Sequence, residues 1–274
     1  MYFLTINPTV LLIKTFNDKN MKTNSISRRD SIKMSATVAA GLLVAPLGAQ
    51  SLNKNNVNQL KLLVVGAHPD DPETGCGGIM SKYAKNGHEV VSVYLTKGEA
   101  GIPGKTHADA ADIRTEEAKK ACDIFGVRPV FVGQIDGNTK VDAEQYDGMF
   151  KIIEKENPDI VLTHWPIDTH RDHRTCSLLV YDAWLKSGGK FALYYFEVMT
   201  GIQTQNFNPT DYMDISDVID IKHKGCYQHV SQHIEEDYFN DLLHGKMEVF
   251  RGMEGGYQYA EAFTLQMQSK KMTL

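Results

Sequence analysis

Apolar residues recur in two rhythms along the chain, and their alternation predicts its architecture. Five short runs read as strands: Leu62 to Val65, Val90 to Leu95, Pro129 to Val132, Ile160 to Thr163 and Phe191 to Phe196. Glycine, asparagine or charged residues bound them, as expected of strands buried in a sheet. Between them lie segments with helical spacing: Gly77 to Ala84, Ala108 to Phe125, Tyr146 to Glu156 and Thr175 to Leu185. Asn86-Gly87, Gly126, Asn157-Pro158 and Gly188-Gly189 close these helices in turn. Strands alternating with helices predict a parallel sheet with right-handed crossovers. The expected fold is α/β, a single Rossmann-like, doubly wound domain with strand order 3-2-1-4-5. Beyond Gly201 the pattern predicts helices over Asp217 to Val230 and Ile234 to Arg251, then a strand around Tyr259 to Phe263.

In that strand order the first and fourth strands are neighbours at the switch point, where such sheets bind ligands. Both strands empty into ionisable residues. The first is followed by His68-Pro69-Asp70-Asp71-Pro72-Glu73, the fourth by His164-Trp165-Pro166-Ile167-Asp168-Thr169-His170-Arg171-Asp172-His173. Adjacent carboxylates repel one another and call for a cation, although aspartates at a helix start are also common caps. Catalytic zinc sites take three protein ligands from imidazole and carboxylate and leave a position for water. His68, Asp71 and His173 make such a set for one Zn²⁺ per chain, and Fe²⁺ or Co²⁺ can use the same ligands. Asp70 and His170 are left as acid/base groups, with Asp70 as general base and His170 stabilising an oxyanion. Asp172 is expected to fix the tautomer of His170, and Asp168 to be a partner behind the ligands. The remaining histidines, including His164, His229 and His244, are read as surface or packed, with His107 in the candidate lid and His229 within reach of the pocket rim. Thr96 to His107, rich in glycine, is a loop long enough to lid the site.

Ala67-His68-Pro69-Asp70-Asp71-Pro72-Glu73 and His170-Arg171-Asp172-His173 resemble the two main motifs of the PIG-L/LmbE family of zinc-dependent N-deacetylases. Arg171 stands where the family usually has proline. Weaker echoes are Arg114 with Glu117, Asp136-Gly137, Asp214-Ile215-Ser216-Asp217, Ser231-Gln232 and Tyr259-Ala260-Glu261-Ala262-Phe263. The resemblance implies removal of an acyl group, most often acetyl, from an N-acylated amino sugar or glycoconjugate. It also implies that Arg114 contacts substrate. Glu73 is expected to orient His68 or a sugar hydroxyl.

Composition narrows the alternatives. The formal charge of −5 becomes −9 without the first 49 residues, which carry six Lys/Arg and two Asp/Glu; this argues against a nucleic-acid partner. Residues 1–50 read as an export segment: Arg28-Arg29 is a twin-arginine pattern, followed by small apolar residues from Ala36 to Ala49 too short for a confident membrane span. Met21 is an alternative start, residues 51–59 are a linker, and the domain covers residues 60–274. The expected location is therefore extracytoplasmic or periplasmic, with no stable membrane span after processing. Cys76, Cys122, Cys176 and Cys226 are too widely spaced for a metal or redox framework and are expected to be buried thiols. A dinucleotide-binding oxidoreductase would need a Gly-x-Gly-x-x-Gly turn that Gly66 to Asp70 lacks. A binding protein that keeps the fold without turnover is the other alternative.

Overall fold

The first strand, β1 (Lys61–Gly66), is the axis of the sheet: it is buried on both faces and hydrogen-bonded to a parallel strand on each side. The computed structural model describes residues 59–199, 202–234 and 244–272. The expected export segment, all of the expected linker but its last residue, and residues 235–243 lie outside the described residues.

β1 is followed by α1 (Asp71–Lys85), β2 (Glu89–Tyr94), α2 (His107–Phe125), β3 (Arg128–Phe131), α3 (Ala143–Glu156), β4 (Ile160–His164), α4 (Arg171–Lys186) and β5 (Ala192–Phe196). After these come β6 (Asp211–Asp214), α5 (Ile219–Cys226), a 3₁₀ turn (Val230–Gln232), α6 (His244–Gly255) and β7 (Ala260–Leu265). The sheet order is β3-β2-β1-β4-β5-β7-β6. Its first five strands are parallel and stand in the order 3-2-1-4-5, while β7 and β6 extend the β5 edge antiparallel. The extension is a departure from the expected sheet. β6 went unread because Asp211, Tyr212 and Asp214 interrupt any apolar run; pairing with β7 makes it a strand.

Side chains alternate across the pleat, so Leu62 and Val64 enter one core and Leu63 and Val65 the other. α1, α2 and α5 cover the first face, α3 and α4 the second. All four residues are fully buried, each stabilising the fold by about 1.5–3 kcal/mol.

α1 begins six residues earlier than its glycines suggested. Pro72 sits in the first turn, where the missing N–H costs nothing, and the Glu73 carboxylate accepts a hydrogen bond from the Asp70 N–H at 3.1 Å. Gly78 lies inside the helix because the packing requires it: a Cβ there would fall 2.3 Å from Ile215 Cγ2. The expected helix over Asp217 to Val230 is shorter, ending at Cys226 before the 3₁₀ turn. All four cysteines are buried thiols. Among the described residues no helix is long and apolar enough to cross a membrane.

Candidate active site

The segments that leave β1, β3, β4 and β5 at one edge of the sheet, with Arg114 of α2, line a cavity of about 240 Å³. Parallel strands must all present their C-terminal ends on that edge, which converts distant stretches of sequence into one crevice. The backbone at Asp70 bends sharply there (φ 112°), in a region that non-glycine residues rarely adopt. Both Asp70 and Asp71 line the cavity, and across this bend Asp70 turns to Arg114 while Asp71 turns to His68 and His173.

His68, Asp71 and His173 come together. Asp71 Oδ2 lies 3.1 Å from His68 Nδ1, and Asp71 Oδ1 lies 3.3 Å from His173 Nε2. The three residues are all at least nine-tenths buried. Three overlapping sets of donor atoms lie within 4.8 Å of one another: His68 with His170 and His173, Asp71 with His164 and His173, and His68 with Asp136 and Asp172. Behind the cluster, His173 Nδ1 faces Asp168 Oδ2 at 3.3 Å, which leaves Nε2 turned toward Asp71. Asp168 also accepts hydrogen bonds from the His170 N–H and the Thr204 hydroxyl.

The electrostatics of this cluster favour added positive charge. Burial pushes His68 down, but its hydrogen bonds to Asp136, Asp172 and Asp71 outweigh burial and hold its pKa well above the usual value. His173 behaves alike: burial opposes protonation, yet Asp71 and Asp168 push it up to about 9. Asp71 shows the reverse balance, held well below the carboxylate range because His173 and His164 outweigh burial. Five carboxylates, Asp70, Asp71, Asp136, Asp168 and Asp172, converge here. Among the described residues Arg114 is the one permanently charged cation lining the cavity. Between them the three donor sets mix imidazole and carboxylate, chemistry that suits a divalent ion, and His68, Asp71 and His173 are shared out among them rather than making up one set.

Asp70 is paired with Arg114, whose Nη2 lies 3.1 Å from Asp70 Oδ2 and also donates to the Pro69 carbonyl. Burial raises the Asp70 pKa, Arg114 lowers it and Asp71 raises it, with a net shift to about 6. Arg114 is itself buried, fitted beneath Gly98 and Gly101, where any Cβ would strike its guanidinium. The alternative of a surface pair with Glu117 does not occur, since Glu117 accepts from the Ser231 N–H and hydroxyl.

His170 caps α4: its Nδ1 accepts the Asp172 N–H at 3.2 Å, so the proton of the neutral ring sits on Nε2. Burial and the neighbouring His68 and His173 lower its pKa. The carboxylate of Asp172 is directed elsewhere than expected. It accepts from the Gly137 N–H at 2.7 Å and the Thr139 hydroxyl at 2.6 Å, and faces His68 at 3.4 Å. The link from Asp172 to the His170 tautomer therefore runs through its backbone N–H.

Glu73 is a correction. It is fully buried beneath Asp70, bonded to the Asp70 N–H and the Tyr94 hydroxyl, and it does not line the cavity. A sugar hydroxyl cannot reach it, because α1 turns its first-turn carboxylate back into the core. The loop 96–106 is likewise strapped: Ala100 N–H donates to Asp136 Oδ2, Asp136 N–H to Glu99 Oε2, and Gln232 Nε2 to the Gly101 carbonyl.

Several cavity or cluster residues were given no site role from sequence, Asp136 and Gln232 having appeared only as weak motif echoes. Asp136 reaches His68 Nε2 at 3.2 Å. His164 stacks on His173 with ring centroids 4.0 Å apart and accepts the Ala67 N–H. Gln203, Gln232 and His244 complete the cavity wall. Asp136, His164 and Gln203 stand at or just beyond the ends of β3, β4 and β5, which is the positional signal that marks them.

A family profile described as "PIG-L: GlcNAc-PI de-N-acetylase" matches residues 63–184, the span from β1 to α4 that carries both motif loops. Diacetylchitobiose deacetylase of Thermococcus kodakarensis is 29% identical over 223 residues, covering 73% of this chain and 81% of that protein. 4-Oxalmesaconate hydratase of Pseudomonas putida is 28% identical over 193 residues, covering 64% of this chain and 74% of that protein. The structure of N,N'-diacetylchitobiose deacetylase from Pyrococcus horikoshii superposes with a TM-score of 0.66 at 24% identity, covering 79% of this chain and 87% of that one, a likeness of fold. The profile match spans the very segment whose strand order and converging loops build the cavity, so residues 63–184 carry a PIG-L-type domain.

Proposed function

We propose that this chain is a metal-dependent N-deacetylase acting on an amino-sugar-containing molecule. The observation that carries the reading is the position of Asp70, a proton acceptor that lines the cavity beside His68, Asp71 and His173 while its own carboxylate pairs with Arg114. His68, Asp71 and His173 would hold the ion, zinc being the best match to the donor set. When bound, zinc supplies a Lewis acid that brings the pKa of water toward neutrality. Asp70 takes the proton from the attacking water as the new C–O bond forms. It returns that proton to the nitrogen as the C–N bond breaks, which releases acetate and the free amine. Arg114 keeps Asp70 aimed and charged. His170 donates its Nε2–H to the oxyanion of the tetrahedral intermediate. The names of relatives that act on N-acetylated amino sugars support the substrate class, and the twin-arginine pattern supports a site of action outside the cytoplasm.

A hydratase reading is kept by the similarity to 4-oxalmesaconate hydratase, since water activation beside a carboxylate serves either reaction. The deciding experiment is acetate release from a panel of N-acetylated sugars and chitin fragments, set beside loss of ultraviolet absorbance from unsaturated dicarboxylates. The account expects acetate release that chelation abolishes and zinc restores. Absorbance loss without acetate release would replace it with the hydratase.

A further inference from the structure

His229 is fully buried, and neither of its ring nitrogens has a hydrogen-bond partner among the described residues. A buried imidazole left in that state disfavours folding, so its presence calls for a use. Its Nε2 lies 3.6 Å from Glu73 Oε1, and among the described residues it is the one basic side chain within ion-pair reach of Glu73. The carboxylate of Glu73 is itself fully buried. Its Oε1 accepts from the Tyr94 hydroxyl, and its Oε2 accepts the Asp70 N–H at 3.1 Å. That N–H belongs to the residue whose backbone is bent to φ 112°, a conformation that persists only where its surroundings hold it.

We infer that His229 is a positioning residue for Asp70. His229 secures the carboxylate of Glu73, Glu73 grips the Asp70 backbone, and the grip maintains the bend that aims Asp70 at Arg114 and Asp71 at His68 and His173. His229 belongs to none of the elements that carry the motif loops; it comes from the segment between α5 and the 3₁₀ turn. The brace therefore ties the C-terminal part of the chain to the first strand end. The inference rests on the reading of Asp70 as the proton acceptor.

Three variants of the full chain test it. His229→Leu removes both nitrogens and fills the space, His229→Gln restores a donor, and Ser92→Ala is a control on the strand and face of Tyr94 with a buried hydroxyl outside the brace. The brace predicts that kcat of His229→Leu falls about tenfold to a hundredfold with KM and zinc content unchanged. Hydrogen exchange at the Asp70 amide should speed up while Tm stays at or above that of the wild type. Gln should recover most of the loss, and the control should match wild type. A purely packing role predicts the opposite for Leu, and wild-type kcat with unchanged exchange in that variant would overturn the brace. Should His229→Leu fail to accumulate, Tyr94→Phe gives the same reading through the other partner of Glu73. A wild-type protein that releases no acetate from any substrate would overturn the deacetylase reading alone, because exchange at Asp70 reports the brace without turnover.

Discussion

Two clusters of buried charge lie on either side of α1, and they differ in how they close. At the strand ends, Asp70 pairs with Arg114 and Asp172 lies 3.7 Å from Arg171, while Asp71, Asp136 and Asp168 face imidazoles. Behind the helix, Lys222 sits 2.8 Å from both Glu248 and Glu261, and Arg251 grips Glu197 through two bonds of 2.6 and 2.7 Å. Glu261 also accepts the N–H groups of Gly78 and Ile79, tying β7 to α1. Every one of these glutamates meets a lysine or an arginine, whereas Asp71, Asp136 and Asp168 of the first cluster meet imidazoles, a mixture of donors that suits a cation from outside. Burial alone therefore does not mark a functional site; a buried imbalance does.

The largest expected effect falls on the open cluster. Asp70→Asn keeps size and hydrogen bonding but removes the proton acceptor, and kcat should fall by about 10²–10⁴ while zinc content is retained. Steady-state acetate release with metal analysis checks it, and loss of zinc together with turnover would mean that Asp70 belongs among the ligands. Lys222→Met should act in the opposite way: breaking the closed cluster leaves two carboxylates without their partner and should cost about 3–5 kcal/mol in urea unfolding, with kcat per folded molecule unchanged. His170→Ala comes next, with an expected loss of about 10²–10³ in kcat and little change in KM.

The smallest effect is a pH dependence on the cavity wall. Burial and the nearby Lys222 lower the pKa of His244 to about 4, so the folded protein refuses a proton that the unfolded chain takes up near 6.5. Its contribution to stability is present above pH 6.5 and is lost progressively as the pH falls toward 4. Urea midpoints between those values should fall less steeply in His244→Gln than in the wild type, and parallel slopes would contradict the assignment.

Most of what places the site was legible along the chain. Apolar runs ending in His68-Pro69-Asp70-Asp71 and in His170-Arg171-Asp172-His173 named two strand ends, and the doubly wound order made them neighbours. What stayed hidden depends on contacts distant in sequence. β6 is polar and becomes a strand through β7, and the glycines of α1 mark close packing against Ile215 and Phe196 rather than a helix start. Glu73 reads as part of a surface motif until Tyr94 and His229, from elsewhere in the chain, enclose it. Asp136 stood out only as a weak motif echo because nothing near it in sequence shows that His68 lies 3.2 Å away.

The most direct measurement is acetate release by chelator-treated protein as zinc is returned in steps, with wild type and Asp70→Asn side by side. The account predicts that wild-type turnover rises linearly and saturates at one ion per chain, while Asp70→Asn binds the same single ion and stays inactive. Full turnover after the metal is removed, or equal recovery by Asp70→Asn, would contradict it.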